Sequence, residues 1–181
     1  MRNEIESFTV GTKTVKIMTD ENPESPRHDS NLGVMVAFHR RYDLGDKGHG
    51  VRADDFNGWD EMEAHLRKEK DAALILPLYL YDHSGITMST KPFSCPWDSG
   101  RLGLIYVTKA KLREEYGVKR LGAATLRKAT AVLEGEVETY DQYLRGDVYG
   151  YAVEDEGGNV LDSCWGFYGL DYCREEAKGA A

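Results

Sequence analysis

The sequence predicts an α+β fold in which a mixed or antiparallel sheet packs against one long and two shorter helices, and the chain closes with a C-terminal β-hairpin. Three observations carry that reading. Between Leu126 and Leu144 the apolar residues recur every three or four positions over about five turns, the period of a helix with one buried face. Residues 34–39, 72–81 and 102–108 are apolar over the length of a strand. Segments rich in Gly, Pro, Asp and Asn separate these runs, as turns require. At 181 residues, 41% hydrophobic and 30% charged, the chain fits a single domain, 1–181, with its own core, and the composition argues against wholesale disorder.

The elements follow in order. Residues 9–18 alternate through Val10, Val15 and Ile17 about Gly11 and Thr12, which reads as an opening hairpin. Residues 20–31 hold Pro23 and Pro26 without an apolar period, and 43–51 hold Gly45, Gly48 and Gly50; both read as loops around the 34–39 strand. Over 55–68, Trp59, Met62 and Leu66 stand at helical spacing, with acidic residues leading and basic ones trailing as the helix dipole favours. Residues 72–81 read as a central strand buried on both faces, with Pro77 at a bulge or edge, and 86–90 and 102–108 as further strands. Thr108 caps a short helix to Tyr116 that Gly117 ends.

In the long helix, Leu126, Ala129, Leu133, Val137, Tyr140 and Leu144 form one stripe. Gly135 within it costs about 1 kcal/mol against alanine and marks a kink or a close contact. Residues 148–154 and 159–168 alternate about Glu156, Gly157 and Gly158 as a hairpin, and a frayed helix completes the chain.

The start, residues 1–6, is charged with no apolar segment, so neither a signal peptide nor a transit peptide is expected. The longest apolar run, 72–81, is broken by Pro77 and is about half the length of a membrane span, so no membrane association is expected. Three cysteines, an odd number, point to reduced thiols in a cytoplasm and not to a disulfide framework. The net charge of -8 disfavours generic adhesion to nucleic acid and favours a basic partner, or none.

Two regions attract a chemical reading. Asp82, His83 and Ser84 follow the 72–81 strand, and Cys95 and Asp98 follow soon after, so Cys95 or Ser84 is a candidate nucleophile, His83 a base, and Asp82 or Asp98 its orienting group. The opposing reading is a turn whose Asp82 and Ser84 bond backbone amides, because neighbouring strand residues face opposite sides and no nucleophile elbow is present. His39, His83, Cys95, Cys164 and Cys173 lack zinc-site spacing, and neither a Walker loop nor a dinucleotide fingerprint occurs, so no metal and no cofactor is expected. His28, His49 and His65 read as solvated or packing residues.

Charge segregation is the second region. Residues 109–128 hold seven basic residues, Lys109, Lys111, Lys119 and Arg120 among them, against two acidic ones. Residues 134–162 hold nine acidic residues against Arg145 alone. Glu134, Glu138 and Asp141 form one carboxylate row, which is either a solvated helix face or a patch that docks on a basic groove. Trp97, Trp165, Phe167 and Tyr168 are candidate interface anchors, with core packing as the alternative.

Four groups of residues carry a family resemblance. They are Asn31, Leu32 and Gly33 with His39, Arg40, Arg41, Tyr42 and Leu44, Gly45, Asp46; then 78–85, ending Asp82, His83, Ser84, Gly85; then 93–100, with Cys95, Pro96, Trp97, Asp98; and 162–169, with Cys164, Trp165, Gly166. Together they resemble small proteins carried by bacteriophages and mobile elements, mostly of unassigned function, over about Asn22 to Tyr168. The group is similar to metagenomic anti-CRISPR proteins that inhibit Cas9. That likeness implies binding to a bacterial defence nuclease, Cas9 with its guide RNA, in the host cytoplasm, and interference with DNA engagement. It nominates no catalytic residue. The binding residues expected on this reading are Glu134, Glu138 and Asp141, with Lys109, Lys111, Lys119 and Arg120 as a secondary contact to DNA. The rivals are a small hydrolase or thiol enzyme, with or without metal, using Cys95 and His83, and a phage accessory protein that regulates a host polymerase or replication factor.

Overall fold

The structure, a computed structural model, describes residues 4–181, so the first half of the charged start lies outside the described residues. Its strands are β1 (Glu4–Val10), β2 (Lys13–Thr19), β3 (Val34–Ala37), β4 (Ala72–Asp82), β5 (Ile86–Ser89), β6 (Ser99–Thr108), β7 (Val148–Glu154) and β8 (Val160–Tyr168). Its helices are α1 (Trp59–Glu69), α2 (Lys109–Tyr116), α3 (Ala123–Arg145) and α4 (Leu170–Ala180). Of the mixed and antiparallel alternatives the chain takes the antiparallel one throughout, as two four-stranded sheets ordered β1-β2-β7-β8 and β3-β6-β4-β5. They belong to two compact units, residues 1–28 with 142–181, and residues 29–141.

In the first unit, Gly11 takes the left-handed conformation that turns β1 into β2. Val15 and Ile17 of β2 and Tyr151 and Val153 of β7 alternate inward and pack against Cys173 and Ala177 of α4. Those two small residues, one helical turn apart, share the helix face laid on the sheet. This helix is regular through Ala180, not frayed, because the buried face holds it and Arg174 ties it to Glu6 of β1 at 2.7 Å. The β7–β8 turn is locked by Asp155, whose carboxylate accepts the N–H groups of Gly157 and Asn159, both at 2.8 Å. Midway along the hairpin the Trp165 ring lies across Gly150, where a Cβ would stand 2.2 Å from it.

In the second unit, β6 is the strand buried on both faces, continuously from Leu102 to Val107. On one side Leu104 and Tyr106 join Met62 and Leu66 of α1 in a core cluster. On the other, a Cβ at Gly33 would touch both Ile105 of β6 and Leu133 of α3, which places α3 against that side. The expectation of a doubly buried strand over 72–81 is therefore corrected: β4 is interior in the sheet order, yet only Ala72, Leu78 and Leu80 are buried. Pairing with β5 starts only at Tyr79, which leaves the first half of β4 with one neighbour. Pro77 sits in that half, just before a register shift at Leu78 and Tyr79, where a missing N–H is tolerated. Gly103 allows β3 to approach, since a Cβ there would stand 2.0 Å from the Val36 carbonyl oxygen.

The helix ends follow their local chemistry. Thr108 accepts the Lys111 N–H at 3.1 Å to cap α2, and Gly117, at φ 61, ends it. In α3 the middle of the stripe, Ala129, Leu133, Val137 and Tyr140, is buried as its spacing predicts, while its ends, Leu126 and Leu144, are half-buried. Gly135 marks no close contact: nothing lies within 4 Å of a Cβ built there. Gly135→Ala should therefore stabilise the protein by about 0.5 to 1 kcal/mol, raising Tm by roughly 1 to 4 °C in thermal denaturation followed by circular dichroism.

Candidate functional site

The expected carboxylate row lies on α3 within the second unit, and its members differ in what they do. The Asp141 carboxylate accepts the Met88 N–H of β5 at 2.7 Å, so it satisfies a donor on the edge strand of the sheet. Glu136, between the row's first two members in sequence, accepts the Leu32 N–H at 2.5 Å and the Gly33 N–H at 3.2 Å. Tyr140 accepts the Gly45 N–H on its hydroxyl at 3.1 Å. Glu134 and Glu138 are exposed and make no hydrogen bond or ion pair among the described residues. With Asp141, Val137 and Lys91 they line an open hollow of about 300 Å³ between α3 and β5.

The basic candidates sit at α2 and the connection after it. Lys109 is held by Asp71 at 2.5 Å, while Lys119 and Arg120 are exposed and Lys111 is half-buried. The nine acids of 134–162 are likewise divided by the fold. Glu136, Asp141 and Asp155 serve backbone N–H groups, Glu154 pairs with Lys16 at 2.7 Å, and Asp147 pairs with Arg145 at 2.6 Å. Hydrogen bonds from Asn159 hold the Asp155 carboxyl below its usual range.

The second candidate region gathers at one end of the β3-β6-β4-β5 sheet. Two runs separated by more than a dozen residues meet because Asp82, at the end of β4, donates its N–H to the Asp98 carbonyl at 2.8 Å. His39 Nδ1 accepts the Arg41 and Tyr42 N–H groups, both at 3.2 Å, which folds 39–42 into a tight turn with the His39 and Tyr42 rings stacked 4.8 Å apart. The Arg41 guanidinium pairs with the Asp82 carboxylate, and His39 Nε2 lies 3.9 Å from it. Beside them, His83 Nδ1 lies 3.4 Å from the Asp98 carboxylate, and the Cys95 thiol donates to the same oxygen at 3.7 Å.

Cys95 and His83 thus converge on Asp98, and neither is the other's partner among the described residues. Asp98 can orient the imidazole, but the thiol presents its proton to the carboxylate, so a nucleophile–base pair of the usual kind is not formed. Ser84, at φ 57, lies in the turn between β4 and β5 and makes no hydrogen bond to His83 among the described residues. Among the described residues no group of three or more His, Cys, Asp and Glu is placed to hold a metal ion. Cys164 is exposed on β8, and burial pushes the Cys173 thiol up to about 11, which leaves it protonated and inert.

Of the four aromatic candidates, Trp97 is 92% exposed on the loop before β6, while Phe167 stacks on Tyr151 at 5.5 Å as part of the α4 core. Trp165 lies over Gly150, and the Tyr168 hydroxyl donates to the Glu24 carbonyl at 2.7 Å. Sequence reasoning missed the Asp82–Arg41–His39 contact and an aromatic cup formed by Phe38, Phe56 and Trp59. Its signal was present only as aromatic density in a Gly-rich stretch. The chain matches no protein-family model, no curated protein and no solved structure.

The two kinds of carboxylate separate experimentally. Asp141→Ala strands a β5 backbone donor and should cost about 1 to 3 kcal/mol in urea denaturation. Glu134→Gln and Glu138→Gln should each leave stability within about 0.5 kcal/mol.

Proposed function

We propose that the chain is a binding protein that inhibits a bacterial defence nuclease of the Cas9 type by occupying a cationic surface that target DNA would otherwise engage. The observation that carries this reading is the pair Glu134 and Glu138, exposed on α3 beside a hollow and committed to no internal contact among the described residues, in a chain of net charge -8. Such effectors hold nucleic acid in positively charged channels, so a carboxylate face has an electrostatic target. The resemblance to phage and mobile-element proteins supplies the setting, an accessory protein acting in the host bacterial cytoplasm. Lys111, Lys119 and Arg120 provide a secondary contact to DNA, and Asp141 contributes by fixing the hollow's floor.

Affinity of the purified protein for a Cas9–guide RNA complex, measured in rising salt, tests this. The expected result is binding that weakens as salt rises and falls at least about tenfold in Glu134→Gln with Glu138→Gln. Absent or salt-indifferent binding overturns it. The convergence of Cys95 and His83 on Asp98 favours one rival, a thiol enzyme or hydrolase. On that reading Cys95→Ser and His83→Ala abolish activity with the fold intact, whereas the binding reading expects both variants to inhibit as the parent does.

A further inference from the structure

A separate feature of the second unit lies on the α1 side of its sheet, away from the face that α3 covers. Phe38, Ala53, Phe56, Gly58, Trp59 and Met62 line an apolar cup of about 170 Å³. Its walls are fixed from outside. The Phe38 and Trp59 rings stack 6.4 Å apart, and Phe56 meets the His65 ring at 5.1 Å. The Arg101 guanidinium lies 4.8 Å from the centre of the Trp59 ring and is itself held by Glu63 at 2.6 Å. Burial lowers the pKa of His49, beside Phe38, which keeps that imidazole neutral against the aromatic wall.

Size and charge together select the occupant. An apolar cavity of about 150 Å³ accepts a benzene ring, whereas free small-molecule ligands use pockets of roughly 300 Å³ or more. The cup therefore fits one aromatic or branched side chain presented by a larger partner. Residues 52–63 carry Asp54, Asp55, Asp60, Glu61 and Glu63 against Arg52. Glu63 serves Arg101, and Glu61 is held ionised by the Asn57 backbone and side-chain N–H groups, at 2.8 and 2.9 Å. Asp54, Asp55 and Asp60 are exposed and have no partner among the described residues. Asp54 and Asp55 stand between the lining residues Ala53 and Phe56 in sequence and Asp60 follows Trp59, so carboxylates neighbour the apolar hole and favour basic side chains that flank an apolar anchor.

We propose that this cup is a docking site for a basic segment of a partner protein, which inserts one bulky apolar side chain between Phe38, Phe56 and Trp59 while its flanking Lys or Arg residues meet Asp54, Asp55 and Asp60. The site stands independently of the function proposed above, because it uses a different surface and adds an apolar anchor to the charge contacts.

The test uses the full chain and three synthetic peptides: acetyl-Lys-Arg-Phe-Arg-Lys-amide, the same peptide with Ala for Phe, and acetyl-Glu-Asp-Phe-Asp-Glu-amide. The readout is the indole N–H resonance of Trp59, assigned through Trp59→Phe. The first peptide should shift it saturably, the other two should bind at least about tenfold more weakly, and added salt should weaken the first. Ala53→Phe, at an exposed position on the rim, should fill the cup and abolish the shift. If that variant does not fold, the surface triple Asp54→Asn, Asp55→Asn, Asp60→Asn carries the test and should remove the preference for the basic over the acidic peptide. Equal binding by the Ala peptide, equal binding by the acidic peptide, or tighter binding by free indole than by the basic peptide overturns the proposal.

Discussion

Backbone N–H groups that no helix or strand ladder satisfies must find acceptors, and in the larger unit one helix supplies several of them. Glu136 takes the donors of Leu32 and Gly33, Tyr140 that of Gly45, and Asp141 that of Met88. These residues come from the segment entering β3, the segment leaving it, and the edge strand β5. An apolar stripe alone would let α3 slide or rotate over the sheet, since hydrophobic contact is non-directional. The polar stitches fix its register, and removing one leaves a donor that costs more than the bond contributes. Asp46 closes the same region by accepting the Met35 N–H at 2.8 Å, which pins the Leu44–Asp46 stretch against β3.

This changes the meaning of the charge pattern. Read along the chain, 134–162 is a block of like charge, which suggests a surface shaped for a partner. In the folded protein most of that block is spent on turns, strand edges and ion pairs, and what remains on α3 is Glu134 and Glu138. A carboxylate row drawn at helical spacing distinguishes faces of a helix but not the use each member finds. Asp141 is structural because β5 happens to end the sheet beside it, a fact of strand order.

Legibility follows the same division between local and distant causes. The α2 boundaries could be read because Thr108 and Gly117 act on groups within four residues, and the β7–β8 turn because Asp155 to Asn159 closes on itself. The α3 stripe could be read from period alone, and the opening hairpin from alternation about the turn residues Gly11 and Thr12. The allocation of eight strands to two sheets could not, because pairing partners such as Thr14 and Glu154 share no local signature. The same limit explains the exchange of roles between β4 and β6: both are apolar runs, and β6 is the one packed by α1 on one face and by Leu133 of α3 on the other. At the Asp82–Asp98 corner, sequence reasoning grouped Cys95, His83 and Asp98 correctly by neighbourhood. It had no means of finding His39 and Arg41 there, some forty residues upstream.

The first unit is built from two separate stretches, residues 1–28 and 142–181, with β2 lying beside β7 and residues 29–141 forming the second unit. During vectorial synthesis on the ribosome its β1–β2 hairpin is therefore made before residues 29–141 and paired with β7 only after them. Residues 29–141 can collapse as soon as they emerge, while β1 and β2 wait with an unzipped flank until β7 arrives. Because β2–β7 pairing spans most of the polypeptide, closing that sheet carries a large loop entropy that a previously compacted middle segment reduces. The order of assembly is thus written into the discontinuity: the unit made from one unbroken stretch can fold early, and the split sheet closes only once β7 has been made.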